Sequence, residues 1–193
     1  KGREKPMPEE LREQVPLMKE VLTAMGIPCC TREGYEADDI LGTVAKKAQA
    51  AGMEVTVVSG DRDLLQLSDA HIKISIPKTS RGTTEVHTYY PEDVKREYPV
   101  TPAPFIDVKA LMGDTSDNIP GVPSIGEKTA TNLILQFGSM GGVYEHLSEV
   151  KPPRAKKSLE EHRDLAELSY KLAKICIDAP VEFSPEDARI GDF

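Results

Sequence analysis

The sequence predicts an α/β layer that gives way to a helical region, and three observations carry that expectation. Before about residue 90, short runs rich in β-branched residues alternate with segments of helical period. After it, the apolar patterns keep the helical period. In between, carboxylates gather where one element ends and the next begins. Strand, helix, strand in succession implies a largely parallel sheet. With 193 residues there is room for one substantial core or a main domain with a small appendage. The expected division is an incomplete α/β layer over residues 1–90 and a helical region over 91–193, within one folding unit.

Residues 8–25 read as a helix: Pro8 suits its first turn, Glu9 and Glu10 follow, and Gly26 stops it. Pro16 lies inside and should kink it. "IPCCT" reads as a short strand with Cys29 and Cys30 packed in the core. "EADDILGTVAKKAQAAG" is a helix with Ile40, Leu41, Val44 and Ala48 on one face. "MEVTVVSG" is a buried strand, "DRDLLQL" a short helical piece, and "HIKISIP" and "TEVHTY" two strands joined by the polar loop "KTSRGT". "PEDVKREY", "PAPFIDVKALMG", "GEKTATNLILQFGS", "GGVYEHL" and "PRAKKSLEEHRDLAELSYKLAK" are helices. "KPPRAKK" is a basic turn, either a solvated loop or a phosphate contact.

Composition narrows the class. Apolar content of 39% and charged content of 29% fit a globular chain. No apolar run is long enough to span a bilayer, so no membrane partner is expected. Three cysteines, Cys29, Cys30 and Cys176, form no paired motif and suit a reducing cytosol. Four scattered histidines give no zinc pattern. A net charge of −8 argues against a nucleic-acid partner, unless the acid is concentrated in a cluster that binds cations.

Three clusters meet that condition. Glu36, Asp38 and Asp39 open a helix; capping accounts for one acid there, not for three. Asp61 and Asp63 directly follow a strand, where ligands sit in open α/β sheets. Asp114 and Asp117 precede a Gly- and Pro-rich turn and a helix beginning near Gly126, whose amides can hold a phosphate. Lys128 in that first turn opposes the helix dipole unless an anion is present. Seven carboxylates without His or Cys select Mg²⁺ or Mn²⁺. They exceed the needs of one Mg²⁺ and fit a pair of ions clamping a phosphodiester. In an empty site, Asp61→Asn and Asp63→Asn should then stabilise the chain by relieving repulsion.

"EGYEADDILGT", "VVSGDRDLLQL" and "ALMGDTSDNIPGVPSIGEKTA" closely resemble the 5′-nuclease (5′-3′ exonuclease) domain of bacterial DNA polymerase I, a branch of the flap endonuclease superfamily. The resemblance runs from end to end. It implies a sheet of PIN-like type followed by a helix-hairpin-helix (helix-three-turn-helix) DNA-binding motif at about residues 105–137. It implies Mg²⁺-dependent cutting of DNA or RNA-primer phosphodiesters near a 5′ flap, nick or gap, in replication and repair. Glu36, Asp38, Asp61, Asp63 and Asp114 match the family's metal-site acids, and Asp39 and Asp117 match further acids of the bacterial branch. Lys1 and Arg3 resemble the basic end of the arch that a flap threads. Gly121, Val122, Ser124, Gly126, Lys128 and Thr129 match the DNA-gripping hairpin, with Ser124 where glycine is common. Backbone carbonyls of Asn118, Ile119 and Val122 are the expected K⁺ ligands. The family's first strand and two early aspartates have no counterpart, so the chain is expected to be the carboxyl-terminal majority of such a domain. A monomer in the bacterial cytoplasm, natively fused to a polymerase, is the implied setting. Two rivals stand beside this reading: an inactive module that binds duplex DNA, and a phosphotransferase with Asp61 as nucleophile.

Overall fold

The computed structural model describes residues 7–80, 82–186 and 188–189. Helix α1 (Glu9–Ala24) runs through Pro16, and none of its residues is buried. Residues 27–32 form no strand, and Cys29 and Cys30 are exposed rather than packed. A short apolar run becomes a strand only where a neighbour pairs with it, and none does here among the described residues.

Helix α2 (Ala37–Ala50) leads into strand β1 (Val55–Val58), and a short 3₁₀ helix (Arg62–Leu67) follows. Strands β2 (Ile72–Ser80) and β3 (Thr83–Tyr89) complete a sheet of order β1-β2-β3. The β1–β2 pairing is parallel, as the alternation predicts, and β2–β3 is antiparallel, so the sheet is mixed among the described residues. The hairpin is longer than expected. Its rungs continue to Ser80 opposite Thr83, with Thr79 and Thr84 hydroxyls 2.9 Å apart across the strands. Among the described residues β1 pairs with β2 alone, so only Val57 is buried and Val58 is 62% exposed; the expected buried strand is half open.

The helical half comprises α3 (Pro91–Glu97), α4 (Pro102–Met112), α5 (Glu127–Phe137), α6 (Met140–Glu145), α7 (Pro153–Glu161) and α8 (Arg163–Ala173). The single helix expected over the last two is broken at His162. Its φ of −130° leaves the helical region, and its ring Nδ1 donates to the Ser158 carbonyl at 3.0 Å.

Two cores form. Leu64, Leu65, Ile72, Ile74 and Val94 centre one under the sheet. Phe105, Leu111, Ile134 and Leu159 centre the other among the helices, and Tyr98 packs against both. α4 is apolar on most of its surface and correspondingly buried, with α5, α8 and the 3₁₀ helix around it.

The segment after α8 returns across α2. Asp39 Oδ1 accepts from the Cys176 amide at 2.8 Å, and Thr43 Oγ1 accepts from the Ala179 amide at 3.0 Å. Lys47 Nζ donates to the Val181 carbonyl. A Cβ on Gly42 would lie 2.8 Å from the Ile175 side chain, so the helix must present glycine there. The buried face of α2 is therefore Gly42, Thr43, Ala45 and Ala48. Ile40 and Val44, expected at the centre of the face, are half-buried, and Leu41 is exposed.

Candidate metal centre

Asp61 and Asp63 follow the carboxyl end of β1. Asp61 caps the 3₁₀ helix, its Oδ1 accepting from the Asp63 amide at 2.8 Å. Asp63 projects towards α4 and meets Lys109. Beyond α4, Gly113 at φ +77° turns the chain, and Asp114 pairs with Ile119 through both backbone groups at 2.9 and 2.7 Å. The turn closes so that carboxylate oxygens of Asp63, Asp114 and Asp117 all lie within 4.8 Å of one another.

Lys109 stands among them. Its Nζ donates to Asp63 Oδ1, lies 2.8 Å from Asp114 Oδ2 and 3.5 Å from Asp117 Oδ2, while the residue is 7% exposed. Sequence reading missed Lys109. The available signal was a lone cation on a largely apolar helix, five positions before Asp114.

The charges are tuned unequally. Burial acts against the Asp114 carboxylate, but Lys109 and the Ser116 hydroxyl and amide outweigh it and hold its pKa at about 2. Burial dominates at Asp63 and raises its pKa despite Lys109. Lys109 also loses by burial, yet Asp114 and Asp63 raise its pKa, so it stays an ammonium.

At the start of α2 the three acids diverge. Burial raises the Asp38 pKa, and the charges of Asp39, Glu36 and Asp61 raise it further, while the Asp39 amide opposes. Asp38 thus lies within the field of Asp61. Glu36 is exposed. Asp39 engages both oxygens with backbone amides, Oδ2 with Glu36 at 3.2 Å and Oδ1 with Cys176. Asp61, Asp63, Asp114 and Asp117 line one cleft of about 500 Å³, whose other wall is apolar around Tyr98 and Phe105.

The Gly-rich turn is rigidly seated. A Cβ on Gly121 would fall 2.3 Å from the Gly113 nitrogen, so the two backbones touch. The Gly121 amide donates to the fully buried Ser169 hydroxyl at 2.9 Å. Of the residues expected to face DNA, Gly121 and Val122 are buried, Thr129 is half-buried, and Ser124, Gly126 and Lys128 are exposed. Gly126 gives α5 no side-chain cap. Of the carbonyls expected to hold K⁺, Ile119 accepts from Asp114 and Val122 accepts from Ile125, each leaving one lone pair. Lys1 and Arg3 lie outside the described residues.

Residues 1–99 match the family described as "5'-3' exonuclease, N-terminal resolvase-like domain", and residues 100–193 match "5'-3' exonuclease, C-terminal SAM fold". The chain belongs to the 5′-3′ exonuclease family. DNA polymerase I of Bacillus caldotenax is 50% identical over 187 residues, covering 97% of this chain and 21% of the relative. DNA polymerase I of Bacillus subtilis (strain 168) is 49% identical over 184 residues, 95% of this chain and 21% of that one. The chain thus spans about a fifth of the length of these relatives. Among solved structures, T5 5′-exonuclease with bound zinc superposes with a TM-score of 0.73 at 26% identity, over 90% of this chain and 64% of that one. The catalytic core of Rad2 with DNA substrate, at 16% identity and a TM-score of 0.57, shares the fold over 93% of this chain and 61% of that one. The 5′-3′ exonuclease fold thus accounts for the α/β layer and the helices that follow it. No helix among the described residues is long and apolar enough to cross a membrane.

Proposed function

We propose that this chain is the greater part of a structure-specific 5′-nuclease that hydrolyses phosphodiesters near a 5′ flap, nick or gap, on DNA or RNA-primed strands. The observation that carries the reading is the convergence of Asp63, Asp114 and Asp117 oxygens within 4.8 Å, in a cleft shared with Asp61. An all-oxygen donor set fits Mg²⁺ or Mn²⁺. Asp61, Asp63, Asp114 and Asp117 would hold one ion, and Asp38 with Glu36 would contribute to a second. When bound, such ions supply a hydroxide at neutral pH and stabilise the leaving oxygen. Lys109 keeps the acids close and offsets one of their charges. Asp39 holds the α2 end and the returning segment, and we assign it to structure. Asp61 commits an oxygen to capping, which disfavours a nucleophilic role.

The turn after Asp117 would seat the duplex by its phosphates and so read shape rather than sequence. Ser124, Gly126 and Lys128 face outward there, and Gly121, Val122 and Thr129 shape the surface. The second lone pairs of the Ile119 and Val122 carbonyls, with Asn118, would be the K⁺ ligands. Relatives that are DNA polymerases support a setting in which this region adjoins a polymerase, and we add to that reading a monomer in the bacterial cytoplasm. T5 flap endonuclease, seen with DNA and metal ions at 25% identity and a TM-score of 0.70, supports the same substrate class.

The test pairs two measurements. Thermal melts should show stabilisation by millimolar Mg²⁺ or Mn²⁺ that Asp114→Asn loses. Cleavage of a 5′-flap duplex by the full-length protein should fall at least a hundredfold in Asp63→Asn and Asp114→Asn. Undiminished cleavage in both variants, with melts indifferent to the ions, would overturn the proposal.

A further inference from the structure

The basic stretch before α7 is bound to the Gly-rich turn at two points. Arg154 Nη2 donates to the Ser124 hydroxyl at 3.1 Å, and the Ser158 hydroxyl donates to the Pro123 carbonyl. Ser158 is buried, so this second point fixes the helix and not merely a side chain. Ser124 holds a φ of +65°, a conformation that costs a non-glycine residue stability. Glycine would fit that backbone without strain but could not hold Arg154.

The cations of α7 are not equivalent. Lys156 and Lys157 each face a glutamate one turn on, Glu160 at 4.0 Å and Glu161 at 3.7 Å. Among the described residues no carboxylate lies within ion-pair distance of Arg154. The guanidinium is exposed, and one hydroxyl satisfies only one of its five donors. It is tethered beside a turn from which α5 departs three residues after Ser124 with no side-chain cap on its first amides. Lys128 is exposed in that same first turn. A planar fork, a second cation and uncapped amides make a phosphate-binding arrangement on a chain of net charge −8.

We propose that α7 is part of the nucleic-acid surface, with Arg154, positioned by Ser124, donating to a backbone phosphate of the duplex held at the turn. This rests on the nuclease reading above and extends it to an element 30 residues beyond the turn. The ligand is a duplex phosphodiester, and the surface carries no base readout.

The experiment measures binding of the full-length protein to a 5′-flap duplex in Ca²⁺ across a series of salt concentrations. Arg154→Ala should weaken binding several-fold and lower the salt slope by about one, with an unchanged melting temperature. Arg154→Lys should keep the slope. Ser124→Gly should keep the slope, since the charge remains, but lose part of the affinity because the guanidinium is no longer held. Lys128→Ala is the internal reference. If Lys128→Ala lowers the slope while Arg154→Ala matches the parent in slope and affinity, the α7 proposal is overturned and the nuclease reading stands. If the parent itself shows no duplex affinity, the nuclease reading fails and takes this proposal with it.

Discussion

Lys109 Nζ and Asp114 Oδ2 stand 2.8 Å apart, with Asp63 on the other side of the same ammonium. The lysine side chain is 9% exposed, so the pair is a buried one. Removing one partner of a buried pair typically costs about 3–5 kcal/mol, because the other charge stays desolvated. Lys109→Met should therefore destabilise by about that amount in EDTA. Mg²⁺ should then restore more stability to the variant than it adds to the parent. Urea titrations with and without Mg²⁺ measure both effects, and equal Mg²⁺ responses would show that Lys109 and the ion do not share these oxygens.

The same pair bears on an expectation drawn from charge counting. Burial outweighs Lys109 at Asp63 and disfavours its charge, so Asp63→Asn should raise stability in EDTA even though it removes a partner of Lys109. A fall in melting temperature would show that the pair with Lys109 dominates instead.

Asp39 separates structure from chemistry. Its carboxylate holds the Glu36 and Cys176 amides, so Asp39→Ala should cost about 1–3 kcal/mol through lost capping and an orphaned amide. The stabilisation by Mg²⁺ should survive in the variant. Melts that show the Mg²⁺ response gone would place Asp39 among the ion's ligands.

Ser169 is the support beneath the turn. Ser169→Ala leaves the buried Gly121 amide without its acceptor, a loss of about 1–3 kcal/mol. Hydrogen exchange should accelerate at Gly121 before it does in the sheet. Uniform exchange changes across the chain would show that the bond holds the whole fold and not the turn.

Acid stability follows from opposed shifts. Asp114 and Asp69 are held at about 2, with Lys46, Gln49 and two amides engaging Asp69 against the effect of burial. Their folded values lie below the unfolded value of about 3.9, so their contribution is full above that pH and vanishes as pH falls towards 2. Asp38, Asp63 and Asp107 are raised, chiefly by burial, and have the opposite sign. They destabilise the fold at neutral pH, and that cost disappears as they protonate above pH 3.9. Melting temperature should therefore hold or rise slightly on first acidification, then fall between about pH 4 and 2. Asp69→Asn should flatten that fall, and an unchanged acid limb would contradict the assignment.

What the sequence disclosed was local. The acids at the end of β1, at the start of α2 and after α4 were legible because capping and turn chemistry act over a few residues. The contact that organises them was not, since Lys109 meets Asp63 across 46 positions and looks in the sequence like one cation on an apolar helix. "IPCCT" has a strand's composition, but pairing is a tertiary fact. The break between α7 and α8 depends on one ring nitrogen. Which face of α2 is buried depends on a segment more than 130 positions later.

That last dependence has a kinetic consequence. Asp39 and Cys176 are 137 positions apart, so α2 cannot be anchored until residue 176 has left the ribosome. Closing so long a loop is slow and entropically costly, whereas the turn between α4 and α5 joins neighbours in sequence. The α4–α5 turn should therefore form before α2 is anchored. Until the late segment arrives, Gly42, Thr43 and Ala45 stay open to solvent, and the nascent chain depends on its own translation to fix the start of α2, which carries Glu36 and Asp38.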